Sequence, residues 1–309
     1  MLSIQRDILL APFSTFKIGG RADYFVSVTT STELIEAIEY ATNNGLKTFV
    51  FSGGSNLLIS DAGFRGIVIR IANKSMRKSG FDMIVDAGAS LLTLVTEANT
   101  VGFAGIERLA GIPGSVGGAI RGNAGAFGTE IEGVVSSVKV YDRKLEKLRE
   151  FNRKDGMFRY RASFFKDHPE FVILSAKLRF EEGKKEDLER ISRETITKRE
   201  AKHPQNALCA GSFFMNPEVT DETLRSEFAK DTGKLPKDAK LPAGWLIDQA
   251  GLRGKKIGGA EVSQIHPNYL INTGTATAEE VLLLAGVVKQ RVRTELGIQL
   301  MEEVQLVGF

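Results

Sequence analysis

Apolar positions recur with a period near two in some stretches and near 3.6 in others, and the two periods take turns along the first third of the chain. Residues 24–28 read as a strand. A helix then opens at Thr30, where Thr30 and Glu33 have capping-box spacing and Leu34, Ile35, Ile38 and Ala41 fall on one face; Gly45 ends it. Residues 47–51 follow as a short buried strand that runs straight into Gly53-Gly54-Ser55-Asn56, and 57–60 and 66–71 return to β character. The start is therefore β-α-β with a glycine turn at a strand end.

From 134 to 181 the pattern is β again. Residues 135–141 and 148–151 read as a hairpin about the charged turn 142–147, and 171–180 as a further strand. Residues 183–202 are charged and helical. The Gly-Lys-Lys change of composition at their start predicts a domain boundary near 185, giving domains 1–185 and 186–309, the first in two lobes divided near 75. The last third predicts helices over 222–230, 243–250 and 277–295, the last opened by a Thr277–Glu280 capping box. A final strand over 298–307 puts Ile298, Leu300, Val304 and Leu306 on one face and Met301, Glu303 and Gln305 on the other. The class is α+β.

Composition narrows the function. The chain has 309 residues, 42% hydrophobic and 26% charged, the make-up of a folded globular protein. Its 41 Lys+Arg against 38 Asp+Glu leave a net charge of +3, too balanced for a nucleic-acid arm or a polybasic membrane patch. The lone Cys209 excludes an internal disulfide, and MLSIQRDILLAPFSTF lacks the basic and apolar regions of an export signal, so a cytoplasmic location is expected. The longest apolar run, 281–288, is far short of the ~20 residues that span a bilayer. His168, His203, His266 and Cys209 have no metal-ligand spacing, so no metal is expected.

Candidate chemistry lies in the glycines. No Walker loop and no G-x-G-x-x-G is present. Yet residues 102–133 hold ten of the 32 glycines, interleaved with Ile, Val and Ala in Gly111-Ile-Pro-Gly-Ser-Val-Gly-Gly-Ala119 and Gly122-Asn-Ala-Gly125. That is an ordered loop approached closely by backbone or ligand, not a flexible linker. With Gly53-Gly54-Ser55-Asn56 it makes two clusters, readable as tight turns of a β-rich domain or as amide-lined anion sites able to hold the two phosphates of a dinucleotide.

The ordered phrases Ser14-Thr-Phe-Lys-Ile-Gly-Gly20, Gly53-Gly-Ser-Asn-Leu-Leu-Ile-Ser60, Gly111 to Ala119 with Asn123-Ala-Gly125, Tyr160-Arg-Ala-Ser163, Ala210-Gly-Ser-Phe-Phe214, Ala243-Gly-Trp-Leu-Ile-Asp248 with Gly258-Gly259, and Glu303-Val304 resemble the UDP-N-acetylenolpyruvoylglucosamine reductase (MurB) family, in its shorter type II form. The resemblance implies a flavin-binding domain of the vanillyl-alcohol-oxidase (PCMH) type followed by a substrate domain. It implies non-covalent FAD, NADPH as hydride donor, and reduction of an enolpyruvyl UDP-sugar to UDP-N-acetylmuramate. FAD would be held by Gly53, Gly54, Ser55 and Asn56, by Gly111, Ile112, Pro113, Gly114, Ser115, Gly117, Gly118 and Ala119, and by Gly88 and Asn123.

Hydride delivered to an alkene carbon leaves negative charge beside the substrate carboxylate, which calls for fixed donors or positive charge. Arg161 matches the family's arginine, Ser212 its proton donor and Glu303 its third catalytic residue; strand register disfavours the neighbouring Glu302. Arg199 and Lys202, three apart on one helix face, resemble the diphosphate contacts of the substrate, with Tyr160 and Asn216 as further substrate-binding positions. Two family charges are absent: Met215 stands where lysine is usual and Gln305 where arginine is common. The alternatives are a related flavin oxidase, against which the three matches and the lack of a flavin-tethering histidine speak, and a catalytically idle flavin-binding module, which intact matches disfavour. A monomer without membrane or nucleic-acid partners is expected.

Overall fold

Two separate hydrophobic cores organise the chain. The computed structural model describes residues 2–204, 206–236 and 238–309. One compact unit consists of Met1–Ile8, Ala22–Gly54 and Phe64–Ala201, and a second of Leu9–Arg21, Ser55–Gly63 and Lys202–Phe309.

In the first unit the expected β-α-β start becomes a four-stranded sheet in the order Gln5–Leu9, Arg21–Val28, Phe64–Ile71, Thr48–Phe51, whose last three strands run parallel. Helix α1 (Ser31–Asn43) buries Leu34, Ala37, Ile38 and Ala41, the leucine and isoleucine side chains each worth about 1.5–3 kcal/mol when fully buried. Ile35 stays at the edge of that face. The Thr30 hydroxyl accepts the Glu33 N–H at 3.1 Å, but the Glu33 carboxylate takes the N–H and hydroxyl of Thr29, one residue earlier than the box spacing predicts.

A five-stranded antiparallel sheet follows, ordered Lys147–Asn152, Val135–Asp142, Phe171–Arg179, Asp82–Asp86, Met76–Ser79. The predicted hairpin is its edge, turned where Asp142 Oδ1 accepts the N–H groups of Lys144 and Leu145, both at 3.0 Å. Four more helices complete the unit: α2 (Leu91–Thr100), α3 (Val116–Arg121), α4 (Phe164–Asp167) and α5 (Lys185–Glu200).

The boundary expected near 185 is corrected by α5. This helix buries Leu188, Ser192 and Thr195, and Ser192 Oγ receives Asn99 Nδ2 at 2.8 Å while donating to the Glu107 carbonyl at 3.0 Å. The charged run is the solvent face of a helix that belongs to the first unit, which therefore ends at Ala201.

The second unit holds helices α6 (Glu222–Thr232), α7 (Ala243–Gln249) and α8 (Ala278–Leu296), with a three-stranded antiparallel sheet of Lys256–Ile257, Ala260–Val262 and Leu270–Asn272. Both halves of the predicted capping box form at Thr277 and Glu280. Two short segments from the N-terminal region are built into this core. Phe16, Ile18 and Leu58 are buried in it, and Asp61 accepts the N–H groups of Ala278 and Glu279, opening α8.

The expected last strand over 298–307 is also corrected. Only Gln305–Val307 is in a ladder, parallel to Leu57–Ile59, because that partner is three residues long. Residues 298–304 form no strand: Glu302 makes an isolated bridge to Phe214 and Val304 lies in a bend. The alternation therefore breaks: Val304 and Val307 are buried, and Leu306 is exposed.

Candidate functional site

The two glycine clusters meet in the first unit. Beyond the end of the strand Thr48–Phe51, a β-carbon at Gly53 would lie 3.2 Å from Gly114 Cα and 3.6 Å from Ser115 N. Gly54 (φ +64°) and Gly114 (φ +126°) take backbone angles that L side chains rarely adopt. Ser115, buried, opens α3 by accepting the Gly118 N–H at 3.3 Å.

Other glycines of the set serve the protein's own packing. Gly117 donates its N–H to the Ala87 carbonyl at 2.8 Å, and a β-carbon there would strike Ala87. Gly88 donates to Asn73 Oδ1 at 2.9 Å, with the Asn73 backbone pressed against its α-carbon. Ile112 and Ala119 donate to the carbonyls of Leu109 and Ser115. These residues give clearance and hold the loop's course, whereas the facing turns at 53–54 and 113–115 are those that could cradle a ligand by backbone. At Gly118 a β-carbon would meet only Ser115 Oγ, at 3.3 Å. Facing turns in which residues 53, 54 and 114 lack β-carbons, beside a helix start, could hold a dinucleotide diphosphate.

Arg161 also stands in the first unit, in a turn closed by reciprocal 3.0 Å bonds between the backbones of Arg159 and Ala162. Its φ is +54°. Nη2 donates to the Gly125 carbonyl at 3.0 Å, the guanidinium lies 5.1 Å from the centroid of the Tyr160 ring, and Lys166 Nζ holds the Arg161 carbonyl at 2.8 Å. The side chain is thus oriented by Gly125 and Tyr160, and the backbone by Lys166. Asn123 is wholly buried and ties this region together, donating to Glu130 Oε2 at 2.8 Å and to the Arg159 carbonyl at 3.3 Å. Its carboxamide nitrogen is spent on the loop.

Sequence reasoning missed Arg121, at the end of α3. Burial pushes its guanidinium pKa down, against the pull of Asp167, and its carbonyl accepts Ser163 Oγ at 2.7 Å. The signal was available: it is the one charge within the apolar, glycine-rich stretch 109–125.

In the second unit the segment that follows Ser212 pairs with the segment that carries Glu303. The Glu303 N–H donates to the Phe213 carbonyl at 2.8 Å, Met215 N–H to the Met301 carbonyl at 2.9 Å, and Phe214 bridges Glu302. Asn56, expected among the cofactor residues, lies against the same segment: Nδ2 donates to the Glu303 carbonyl at 3.1 Å, and its own carbonyl accepts Gln305 N–H at 3.0 Å. Glu302 pairs with Lys289 at 2.8 Å.

The expected Arg199–Lys202 clamp does not form on one helix face. Helix α5 ends at Glu200, and Lys202 follows in a turn ahead of His203-Pro204, where proline disfavours helical backbone at the preceding residue. Arg199 instead packs on the glycine loop, its Cδ 3.2 Å from where a Gly111 β-carbon would be. Asn216 Oδ1 accepts the Ala243 N–H at 3.0 Å, at the opening of α7.

Comparison with known proteins agrees with this division. The FAD binding domain family matches residues 22–148, and the UDP-N-acetylenolpyruvoylglucosamine reductase C-terminal domain family matches residues 203–307. A UDP-N-acetylenolpyruvoylglucosamine reductase of Solibacter usitatus is 38% identical over 99% of this chain and 97% of its own length. One from Carboxydothermus hydrogenoformans is 37% identical over 97% of this chain and 92% of its own. The crystal structure of the Thermus caldophilus enzyme superposes with a TM-score of 0.79 at 31% identity, covering 99% of this chain and 100% of that one.

Proposed function

The chain belongs to the UDP-N-acetylenolpyruvoylglucosamine reductase family, and on that premise we propose how its own residues carry the reaction. It is an FAD-dependent oxidoreductase that reduces UDP-N-acetylglucosamine enolpyruvate to UDP-N-acetylmuramate with NADPH, a step of peptidoglycan precursor synthesis. The facing glycine turns would hold FAD, which when bound would supply the hydride chemistry between NADPH and the substrate's vinyl group.

The protein's task is the charge and the proton. As the distal carbon gains hydride, negative charge develops on the neighbouring carbon and its carboxylate. Arg161, already oriented by Gly125 and Tyr160, meets that carboxylate and stabilises the enolate-like charge. Ser212 Oγ gives a proton to the carbon bearing the carboxylate. A serine hydroxyl is a weak acid, so it works only when held at the reacting carbon away from bulk water. Glu303, on the neighbouring segment, orients the substrate's charge and supports return of the proton to Ser212. Arg199, Lys202, Tyr160 and Asn216 are the proposed contacts to the UDP-sugar, with Arg199 and Lys202 acting as separate cations.

The observation that supports the catalytic assignment is the 2.8 Å bond from Glu303 N–H to the carbonyl of Phe213, the residue after Ser212, which joins the two segments that carry these family matches. The test is NADPH oxidation by the purified yellow protein. It must depend on added UDP-N-acetylglucosamine enolpyruvate and yield UDP-N-acetylmuramate; oxidation that ignores this substrate overturns the reading. We also propose a cytoplasmic monomer without nucleic-acid or membrane partners, supported by the balanced charge and the single cysteine.

A further inference from the structure

We propose that Asn268 is a positioning residue for the proton-transfer step, acting through the backbone on Ser212 and Glu303; the proposal rests on the roles given to those two residues above.

Asn268 is 3% exposed and does for residues 213–214 what a neighbouring strand would do. Its Oδ1 accepts the Phe214 N–H at 2.9 Å, its Nδ2 donates to the Phe214 carbonyl at 2.8 Å, and its own carbonyl accepts the Phe213 N–H at 2.7 Å. From the opposite side the same residues meet 301–303, through the Phe213 carbonyl and the Met215 N–H. The segment after Ser212 is therefore gripped on both edges.

Before Ser212 the chain is held farther back, where Asn272 N–H donates to the Leu208 carbonyl at 2.8 Å and Thr15 Oγ1 to the Cys209 carbonyl at 2.6 Å. Gly211 lies between at φ +78°, with nothing within 4 Å of where its β-carbon would be. The grip on Phe213 and Phe214 holds Ser212 from its C-terminal side. Glu303 N–H donates to the Phe213 carbonyl, so Asn268 holds the residues that follow Ser212 and that bear on Glu303.

Asn268 is itself anchored. Its N–H donates to His266 Nδ1 at 3.3 Å, and His266 is stacked on His203 at 5.0 Å with rings 17° apart. Gly244 of α7 leaves room for that imidazole, whose Cε1 lies 3.1 Å from where its β-carbon would be. A buried carboxamide whose oxygen and nitrogen serve the N–H and the carbonyl of one residue specifies geometry that an apolar side chain of equal volume cannot. A misplacement of about 1 Å at reacting groups can cost about 10²-fold in rate.

The experiment compares Asn268→Asp and Asn268→Leu with wild type, as FAD-loaded proteins, in the two half-reactions and in amide hydrogen exchange. The aspartate keeps volume and the acceptor for Phe214 N–H but loses the donor to the Phe214 carbonyl; the leucine loses both. Flavin reoxidation by saturating enolpyruvyl substrate is expected to slow about 10–10²-fold, with KM little changed and flavin reduction by NADPH within about twofold. Exchange at Phe213, Phe214 and Glu303 is expected to quicken while that of α8 holds. Parallel loss of both half-reactions together with global stability, or unaltered reoxidation, overturns the proposal. Should Asn268→Leu fail to fold, Asn268→Asp decides. If the wild-type flavin is not reoxidised by the substrate, the proposed function fails instead, and the exchange result still judges the grip.

Discussion

Gly53 lies against Gly114 so closely that a β-carbon on the first would stand 3.2 Å from the α-carbon of the second. Two turns far apart in sequence meet backbone to backbone, and a methyl group placed between them must push them apart. Gly53→Ala is expected to lower the FAD retained through purification by several-fold while the far-ultraviolet spectrum stays that of a folded protein. Visible flavin absorbance per protein checks it, and full retention would mean that the facing turns are not the cradle.

Arg161 is oriented by the Gly125 carbonyl and the Tyr160 ring, and a guanidinium can hold a carboxylate through two parallel bonds. Arg161→Lys keeps the charge but loses the fork. It is expected to lower kcat by about 10²-fold, the scale of removing one donor from a developing oxyanion, with FAD content unchanged. Steady-state kinetics with saturating NADPH reads the effect.

The neighbours Glu302 and Glu303 separate by partner. Glu302 pairs with Lys289 across a partly exposed surface, an arrangement worth roughly 0–1 kcal/mol, so Glu302→Gln should leave turnover within about twofold. Glu303→Gln should reduce turnover by at least about 10²-fold. Equal effects of the two variants would refute the distinction.

The depth of structure legible in the sequence follows the range of the interactions involved. The opening of α8 was readable because Thr277 and Glu280 are three residues apart and satisfy each other locally. The 135–152 hairpin was readable for the same reason: its turn is held by Asp142 within itself. The end of the first unit was not, because the charged run 183–202 hides a face whose partners, Asn99 and Glu107, lie almost a hundred residues upstream. Lys202 was misplaced on a helix by extending its period through a proline boundary. In the site itself, Arg161, Ser212 and Glu303 were legible only through the motifs that resemble the family, whereas Asn56 and Asn268 bond backbone groups of distant residues, and no local pattern marks that.

Acid should loosen the second unit through His266. Burial, with a smaller push from Arg253, holds its pKa below the ordinary 6.5. Tyr269 and His203 pack on the ring, and His266 Nδ1 accepts the Asn268 N–H, so the folded state wants it neutral. A base with a depressed folded pKa contributes stability that is present above its unfolded value and lost as pH falls through the folded one. Thermal unfolding midpoints are therefore expected to fall as pH drops from about 7 toward about 5, and His266→Gln is expected to flatten that slope. A slope untouched by the substitution would assign the acid sensitivity elsewhere.

The most direct measurement is stopped-flow observation of both half-reactions in Ser212→Ala. Reduction of the flavin by NADPH should proceed at close to the wild-type rate, while reoxidation by UDP-N-acetylglucosamine enolpyruvate slows by about 10²–10⁴-fold, the loss typical of a removed proton donor. Reoxidation at the wild-type rate, or an equal loss in both half-reactions, would contradict the assignment of Ser212 as the group that completes the reduction.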